Sequence, residues 1–172
     1  MFGRSRFLHC FYAALALAAP AAAAAAPVTA SAGAQIGVLS PVSVIKRADL
    51  NFGTVVTAAT AGTVVLNPLN GSLTTTGGLT AVGTGAHAAV FTSTGSKNSV
   101  VIIRLPNAPI TMTRVGGTQT VTASTWTVDG NTTRKVPANQ TFDFAVGATL
   151  NVGAAQVAGT YIGTFQITVQ YP

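Results

Sequence analysis

The stretch Gly159-Thr-Tyr-Ile-Gly-Thr-Phe-Gln-Ile-Thr-Val-Gln-Tyr-Pro172 closes the 172-residue sequence and decides the fold. Its large apolar side chains fall on every second position, with Thr and Gln between most of them. A period of two over about ten residues is typical of a β-strand with one face on a core and one face toward water. We therefore predict a C-terminal strand that forms part of an all-β domain.

The register of this strand follows from the cost of the alternative. A slip of one residue would turn Phe165, Ile167 and Val169 outward and bury two Gln side chains and a Thr in their place. We therefore expect those three residues to face the core. Tyr171 is expected to bury its ring and keep its hydroxyl hydrogen-bonded or hydrated. Gly159 is expected where a side chain would clash or where φ is unusual.

Residues 1–25 are predicted to be a secretory signal peptide. Two arginines precede an apolar run over residues 7–19, and an alanine run over residues 21–26 supplies small residues for cleavage. The apolar run is too short to span a membrane. We expect cleavage near Ala25, with a site further along, near Ala32 or Ala34, as the alternative. We also expect export through the inner membrane and no stable membrane insertion of the mature chain.

The composition of the mature chain favours strands and turns. Loss of Arg4, Arg6 and Cys10 lowers the formal net charge from +6 to +4 and leaves no cysteine for a disulfide. The chain contains no Glu and is rich in Thr, Val, Gly and Ala, which is poor helix material. The basic residues are scattered, so nucleic-acid binding is not expected.

Short β-rich runs punctuated by Gly and Pro indicate an antiparallel Ig-like β-sandwich over residues 42–172. Asn70-Gly71 is expected to form a hairpin turn. Gly147 is expected to separate two strands, and Lys46–Asp49 to form a polar turn. The runs predicted as strands are residues 42–46, 54–57, 63–66, 87–94, 100–105, 110–115, 118–128, 141–146 and 149–152.

No catalytic constellation is apparent. The mature chain has three acidic residues, Asp49, Asp129 and Asp143, and a single histidine, His87. One His without Cys cannot make the usual zinc sites, and no G-x-S-x-G elbow occurs. We expect no catalytic residue, no metal site and no cofactor, and we expect Trp126 to be a core anchor.

The segment ahead of the sandwich, residues 26–41, carries a second alternating pattern. From residue 28 to residue 38 every even position is apolar, and none of the odd positions is a large hydrophobe. This predicts a free strand, which Pro41 separates from the next one because proline cannot donate to a ladder. Its apolar positions are Val28, Ala30, Ala32, Ala34, Ile36 and Val38.

Two resemblances add to this interpretation. The C-terminal stretch, with a penultimate Tyr and a Gly fourteen residues from the end, resembles the last strand of chaperone–usher pilus subunits. The stretch Ser43-Val-Ile-Lys-Arg-Ala-Asp-Leu-Asn-Phe-Gly-Thr-Val55, with later pieces such as Phe144–Leu150, resembles the secreted domain-of-unknown-function family 4402. That resemblance implies an Ig-like, pilin-type sandwich related to fimbrial subunits and spore-coat-type secreted domains.

The resemblance to pilus subunits implies a function. Such a subunit lacks its final strand, and the N-terminal extension of the next subunit fills the gap. We therefore expect a head-to-tail homopolymer: a surface fibre supporting adhesion or biofilm, with a periplasmic chaperone and an usher as partners in transit. Residues 28–38 would be the donor strand. The C-terminal zipper strand would present Gly159, Phe165, Ile167, Val169 and Tyr171.

Two alternatives stay open. The first is a self-contained secreted sandwich with a binding role, whose N-terminal strand pairs within its own molecule. The second is a small outer-membrane β-barrel, which needs strands of about 9–11 residues throughout, whereas most strand runs here are shorter.

Overall fold

The computed structural model describes residues 28–172; the signal-peptide prediction lies outside this range. Within residues 28–172 the chain is all-β and antiparallel, and it contains no helix. No helix long and apolar enough to cross a membrane is found there. The strands are β1 (Ser43–Ala48), β2 (Thr54–Val56), β3 (Gly62–Leu66), β4 (Leu73–Thr75), β5 (Thr80–Val82), β6 (Ala89–Thr94), β7 (Val100–Arg104), β8 (Ile110–Arg114), β9 (Thr120–Val128), β10 (Thr133–Lys135), β11 (Thr141–Val152), β12 (Tyr161–Ile162) and β13 (Thr168–Gln170).

The strands form one large sheet and two small ones. The large sheet has eight strands, in the order β1-β6-β11-β9-β8-β12, with β3 pairing to β11 and β4 pairing to β3. A three-stranded sheet has the order β10-β7-β13, and β2 pairs with β5. All pairs are antiparallel, as expected of a sandwich built from short hairpins and crossovers. The predicted fold class is confirmed.

The core consists of two buried apolar clusters. The first includes Val64, Leu66 and Val121, and the second includes Val101, Ile103 and Phe144. Leu50 and Trp126 pack against both clusters, so they join the two halves of the core. Trp126 is partly buried at this junction, where it packs as an anchor against both clusters.

The prediction that Gly147 separates two strands is wrong. β11 runs through Gly147 without interruption, and its pairing with β9 shifts register between Gly147 and Thr149. A Cβ at Gly147 would lie 2.3 Å from the Leu66 carbonyl oxygen. The glycine therefore marks a close backbone approach inside a strand, and not a turn.

The boundaries of β1 also differ from the prediction. The polar residues Lys46–Asp49 were expected to form a turn, but β1 continues to Ala48 through a bulge between Lys46 and Ala48. The polar side chains are accommodated because β1 lies at the edge of its sheet and most of its residues are exposed. The Asn70-Gly71 turn is confirmed: it joins β3 to β4, and Gly71 has a φ of 70°.

All thirteen strands lie in the unit Gly37–Pro172, and residues 28–36 lie outside it. The segment from residue 28 to residue 42 forms no strand. Its predicted β pattern is therefore not realised as a strand within the single chain.

Candidate functional site

A groove opens over the inner face of the large sheet, within the unit Gly37–Pro172. Its floor is formed by core residues of β6 and β9, including Ala89, Phe91 and Ala123, of which the two alanines are fully buried. One wall is the chain from Lys46 to Phe52, and the other is the C-terminal segment 161–165. The cavity between these walls measures about 440 Å³. Buried core residues thus lie beneath this cavity, between the start and the end of the sandwich.

A second cavity continues the groove over the first apolar cluster. It measures about 570 Å³ and lies between residues 50–57 and residues 156–161. Its floor includes Val121, Leu150 and Val152, three members of the buried cluster. The two cavities have four lining residues in common: Leu50, Phe52, Met112 and Tyr161. They are therefore adjoining parts of one apolar groove.

The C-terminal segment, which forms one wall of the groove, is not a continuous strand. β12 pairs with β8 in the large sheet, whereas β13 pairs with β7 in the three-stranded sheet. Residues 163–167 pass from one sheet to the other and belong to no strand. The prediction of one unbroken C-terminal strand is therefore wrong: the chain leaves one sheet after β12 and joins the other at β13, and it is irregular where it changes sheets.

The alternation of side chains survives this break. Phe165, Ile167 and Val169 pack against the second apolar cluster, and Val169 is 9% exposed. Phe165 lies 4.6 Å from Trp126 between ring centroids and meets Phe91 edge-on at 6.3 Å. These contacts fasten the irregular segment to the core. The neighbouring Gln166 and Thr168 are exposed, as the register argument requires.

Gly159 begins the C-terminal stretch at a position where a side chain would be strained. Its φ is 153°, and a Cβ there would lie 2.5 Å from the Arg114 Nε atom. That nitrogen donates a hydrogen bond of 2.8 Å to the Ala158 carbonyl oxygen. The Tyr161 hydroxyl donates to the Val157 carbonyl oxygen at 2.6 Å. Together these bonds order the loop that borders the larger cavity.

Tyr171 packs its ring against the second cluster and uses its hydroxyl fully. The hydroxyl accepts a hydrogen bond of 2.8 Å from the Ser96 amide and donates one of 2.7 Å to the Ser40 carbonyl oxygen. Hydrogen bonding to the Ser96 side chain and backbone lowers the pKa of Tyr171 below its ordinary value of 10.0. The penultimate Tyr therefore connects the C-terminus to the residues just ahead of β1.

The predicted donor residues are all exposed. The exposed fractions are 98% for Val28, 85% for Ile36 and 85% for Val38, and the three alanines between them are exposed as well. None of these residues packs against either apolar cluster of the core.

Each of the three acidic side chains contacts a polar or basic side chain nearby in space. Asp49 pairs with Lys46, and Asp129 pairs with Arg134, each at 2.5 Å. Asp143 accepts a hydrogen bond of 2.5 Å from the Thr92 hydroxyl. Among residues 28–172 no group of three or more potential metal-ligating side chains occurs. The absence of catalysis stays a prediction.

Sequence reasoning did not identify the wall of the groove opposite the C-terminal segment. In the sequence, Leu50 and Phe52 belong to the stretch Ser43–Val55 that resembles family 4402, and the resemblance does not mark them as lining a groove. Their spacing of two was the available signal, since it places both side chains on one face of an extended chain. Met112 gave no signal of its own, because an apolar residue inside a strand is ordinarily core.

The fold defines the chain as an antiparallel β-sandwich with an open apolar groove. A family model described as "Domain of unknown function (DUF4402)" matches residues 42–171, and the chain belongs to this family. No curated protein and no solved structure gives a significant match.

Proposed function

We propose that this protein is the structural subunit of a surface fibre, and that residues 28–38 of one copy dock as a strand in the groove of the next copy. One observation carries the proposal. The same chain presents an apolar groove that opens onto its core and an exposed segment whose apolar residues alternate. Docking of the segment in the groove of another copy would bury the apolar side chains of both.

The groove suits an added strand. Its two walls are separate stretches of chain, and residues 163–167 along one wall belong to no strand. Backbone groups outside a ladder are a template for pairing with another strand, and alternate side chains of that strand can enter the core. The eleven residues 28–38 would extend over about 36 Å at 3.3 Å per residue.

The donor residues are small or medium-sized apolar side chains without charge, which an apolar groove can bury. Burying Val28, Ile36 and Val38 would contribute about 1.5–3 kcal/mol each if burial is complete. The alanines between them allow close approach to the floor. Residues 28–38 carry no charged side chain, so docking would bury no unpaired charge.

A contact between one copy's extension and the next copy's groove joins two different surfaces. Such heterologous contacts repeat without closing and generate an open filament. We further propose that the subunit is exported through the inner membrane and reaches the cell surface, where the fibre supports adhesion or biofilm. A periplasmic chaperone and an usher would cover and then release the open groove during assembly.

The test uses two adjacent substitutions in the mature chain. Ile36→Asp places a charge on the apolar side of the extension, and Gln35→Asp, the matched control, places the same charge on the other side. We expect the parent and Gln35→Asp to form filaments, visible by electron microscopy and light scattering, and Ile36→Asp to stay monomeric. Equal polymerisation of the two variants, or a monomeric parent at all concentrations, would contradict the proposal.

A second candidate function is a self-contained sandwich that binds a small apolar ligand. It is favoured by the size of the larger cavity, about 570 Å³, which falls within the range of ligand pockets. This candidate predicts stability that does not depend on protein concentration. It also predicts equal ligand affinity in the parent and in a chain that lacks residues 28–38.

A further inference from the structure

The junction between the N-terminal extension and the sandwich is held by one side chain from the other end of the protein. The Tyr171 hydroxyl bridges the Ser40 carbonyl oxygen and the Ser96 amide, at 2.7 and 2.8 Å. The Ser40 amide in turn donates to the Ser96 hydroxyl at 2.6 Å. Three segments far apart in sequence therefore meet at one oxygen atom.

The surroundings of this oxygen are shaped to admit it. A Cβ on Gly95 would lie 3.2 Å from the Tyr171 hydroxyl oxygen, so a larger residue there would crowd the contact. The Ser99 amide and hydroxyl both donate to the Ser96 carbonyl oxygen, at 3.2 and 2.5 Å, which holds the loop after β6 in place. The junction is thus a defined set of contacts on a supported loop.

The sequence reinforces the position of Ser40. Pro41 follows it and restricts Ser40 to extended backbone, which opposes a turn at this point. Val42 then packs against the second apolar cluster. The chain is therefore fixed on the C-terminal side of Ser40, while Leu39 before it is 53% exposed.

We propose that Tyr171 is a positioning residue that fixes the base of the donor segment, at Ser40, on its own subunit. This inference rests on the proposed function, because it assigns the Tyr171 hydroxyl a role in strand donation. A donor segment with a fixed base loses less conformational freedom on docking than one whose base also moves. The hydroxyl therefore favours assembly beyond its contribution to the fold.

The experiment compares Tyr171→Phe with Thr60→Val in the full mature chain. Tyr171→Phe keeps the ring and removes only the oxygen that joins Ser40 to Ser96. Thr60→Val, the control, removes a hydroxyl that donates to the Gly77 carbonyl oxygen at 2.6 Å, outside the lining of the groove. Hydrogen exchange followed by mass spectrometry reports the junction, and light scattering reports filament growth.

We expect Tyr171→Phe to raise amide exchange at Ser96 and around Ser40 by roughly fivefold to tenfold, the size of one or two lost hydrogen bonds. Filament growth should fall several-fold, with the melting temperature of the monomer little changed. Thr60→Val should alter exchange only around Thr60 and Gly77 and leave growth unchanged.

The outcomes separate the two proposals. Unchanged amide exchange in Tyr171→Phe would show that the Tyr171 hydroxyl does not hold Ser40 and Ser96 together. Faster exchange with normal filament growth would overturn the positioning role and leave a purely structural contact. A parent chain that forms no filament would refute the proposed function. The exchange result would then show only whether the Tyr171 hydroxyl holds Ser40 and Ser96 together.

Discussion

Phe165 is the residue that should fasten the irregular C-terminal segment to the core, and replacing it with Ala tests this directly. Its ring lies 4.6 Å from Trp126 and 6.3 Å from Phe91, between centroids. Removing a buried Phe side chain costs about 3–5 kcal/mol. Because Phe165 is only partly buried, we expect a loss near the lower end, about 3 kcal/mol. That is a large share of the ~5–15 kcal/mol that stabilises a typical domain.

Urea unfolding measures this loss, at a dilution where the chain is monomeric. Trp126 is the single tryptophan of the sequence, so its fluorescence reports both unfolding and the native contact with Phe165. Ile162→Ala is the control, since Ile162 is 63% exposed and its truncation should change stability by less than about 0.5 kcal/mol. A loss below about 1 kcal/mol for Phe165→Ala, with unchanged native fluorescence, would show that the segment is not docked as described.

Three further predictions concern the two ends of the chain. Val169→Asp should abolish the folded state seen by circular dichroism, because it buries an unpaired charge. Thr168→Asp, the control, places the same charge on the exposed face beside Arg104 and should fold normally. If both variants fold, the proposed register of the strand is contradicted. Gly159→Ala should cost about 1–2 kcal/mol in thermal unfolding through its positive φ and its clash with Arg114, while Gly85→Ala, with open space around it, should cost little. N-terminal sequencing of the exported protein should start near residue 26, and an intact Met1 would refute the signal peptide.

The side-chain alternation and the punctuation by turns predicted much of the sandwich. The Phe165–Val169 register follows from side-chain chemistry alone, because only one register keeps the Gln side chains in water. The Asn70-Gly71 turn was likewise readable from local backbone preference. Both are local properties, and local properties are what a single sequence contains.

Other features depend on contacts between distant residues and could not be predicted. Gly147 reads as a turn signal in sequence, yet it lies within β11 because the backbone near Leu66 approaches it. The break at residues 163–167 arises because β12 and β13 pair with different sheets. Strands as short as β4, β5 and β10 have too few residues to show a period.

The candidate site divides in the same way. The proposed donor segment is predicted from an alternation that is contiguous in sequence, and its docking stays a prediction. The groove was not predicted, because its walls come from residues 46–57 and 156–165, and only the fold brings these together. The contact of Tyr171 with Ser40 spans 131 residues, and no local pattern could indicate it.

The most direct test of strand donation separates donor from acceptor. A synthetic peptide of residues 28–39 is titrated into a chain that lacks residues 28–38, with Trp126 fluorescence and thermal unfolding as readouts. We predict saturable one-to-one binding and a stabilisation that grows with peptide, reaching about 2.7 kcal/mol at a hundredfold excess over Kd. The Gln35→Asp peptide should behave in the same way, and the Ile36→Asp peptide should not bind. Absence of stabilisation at millimolar parent peptide, or equal binding of the two substituted peptides, would contradict the account.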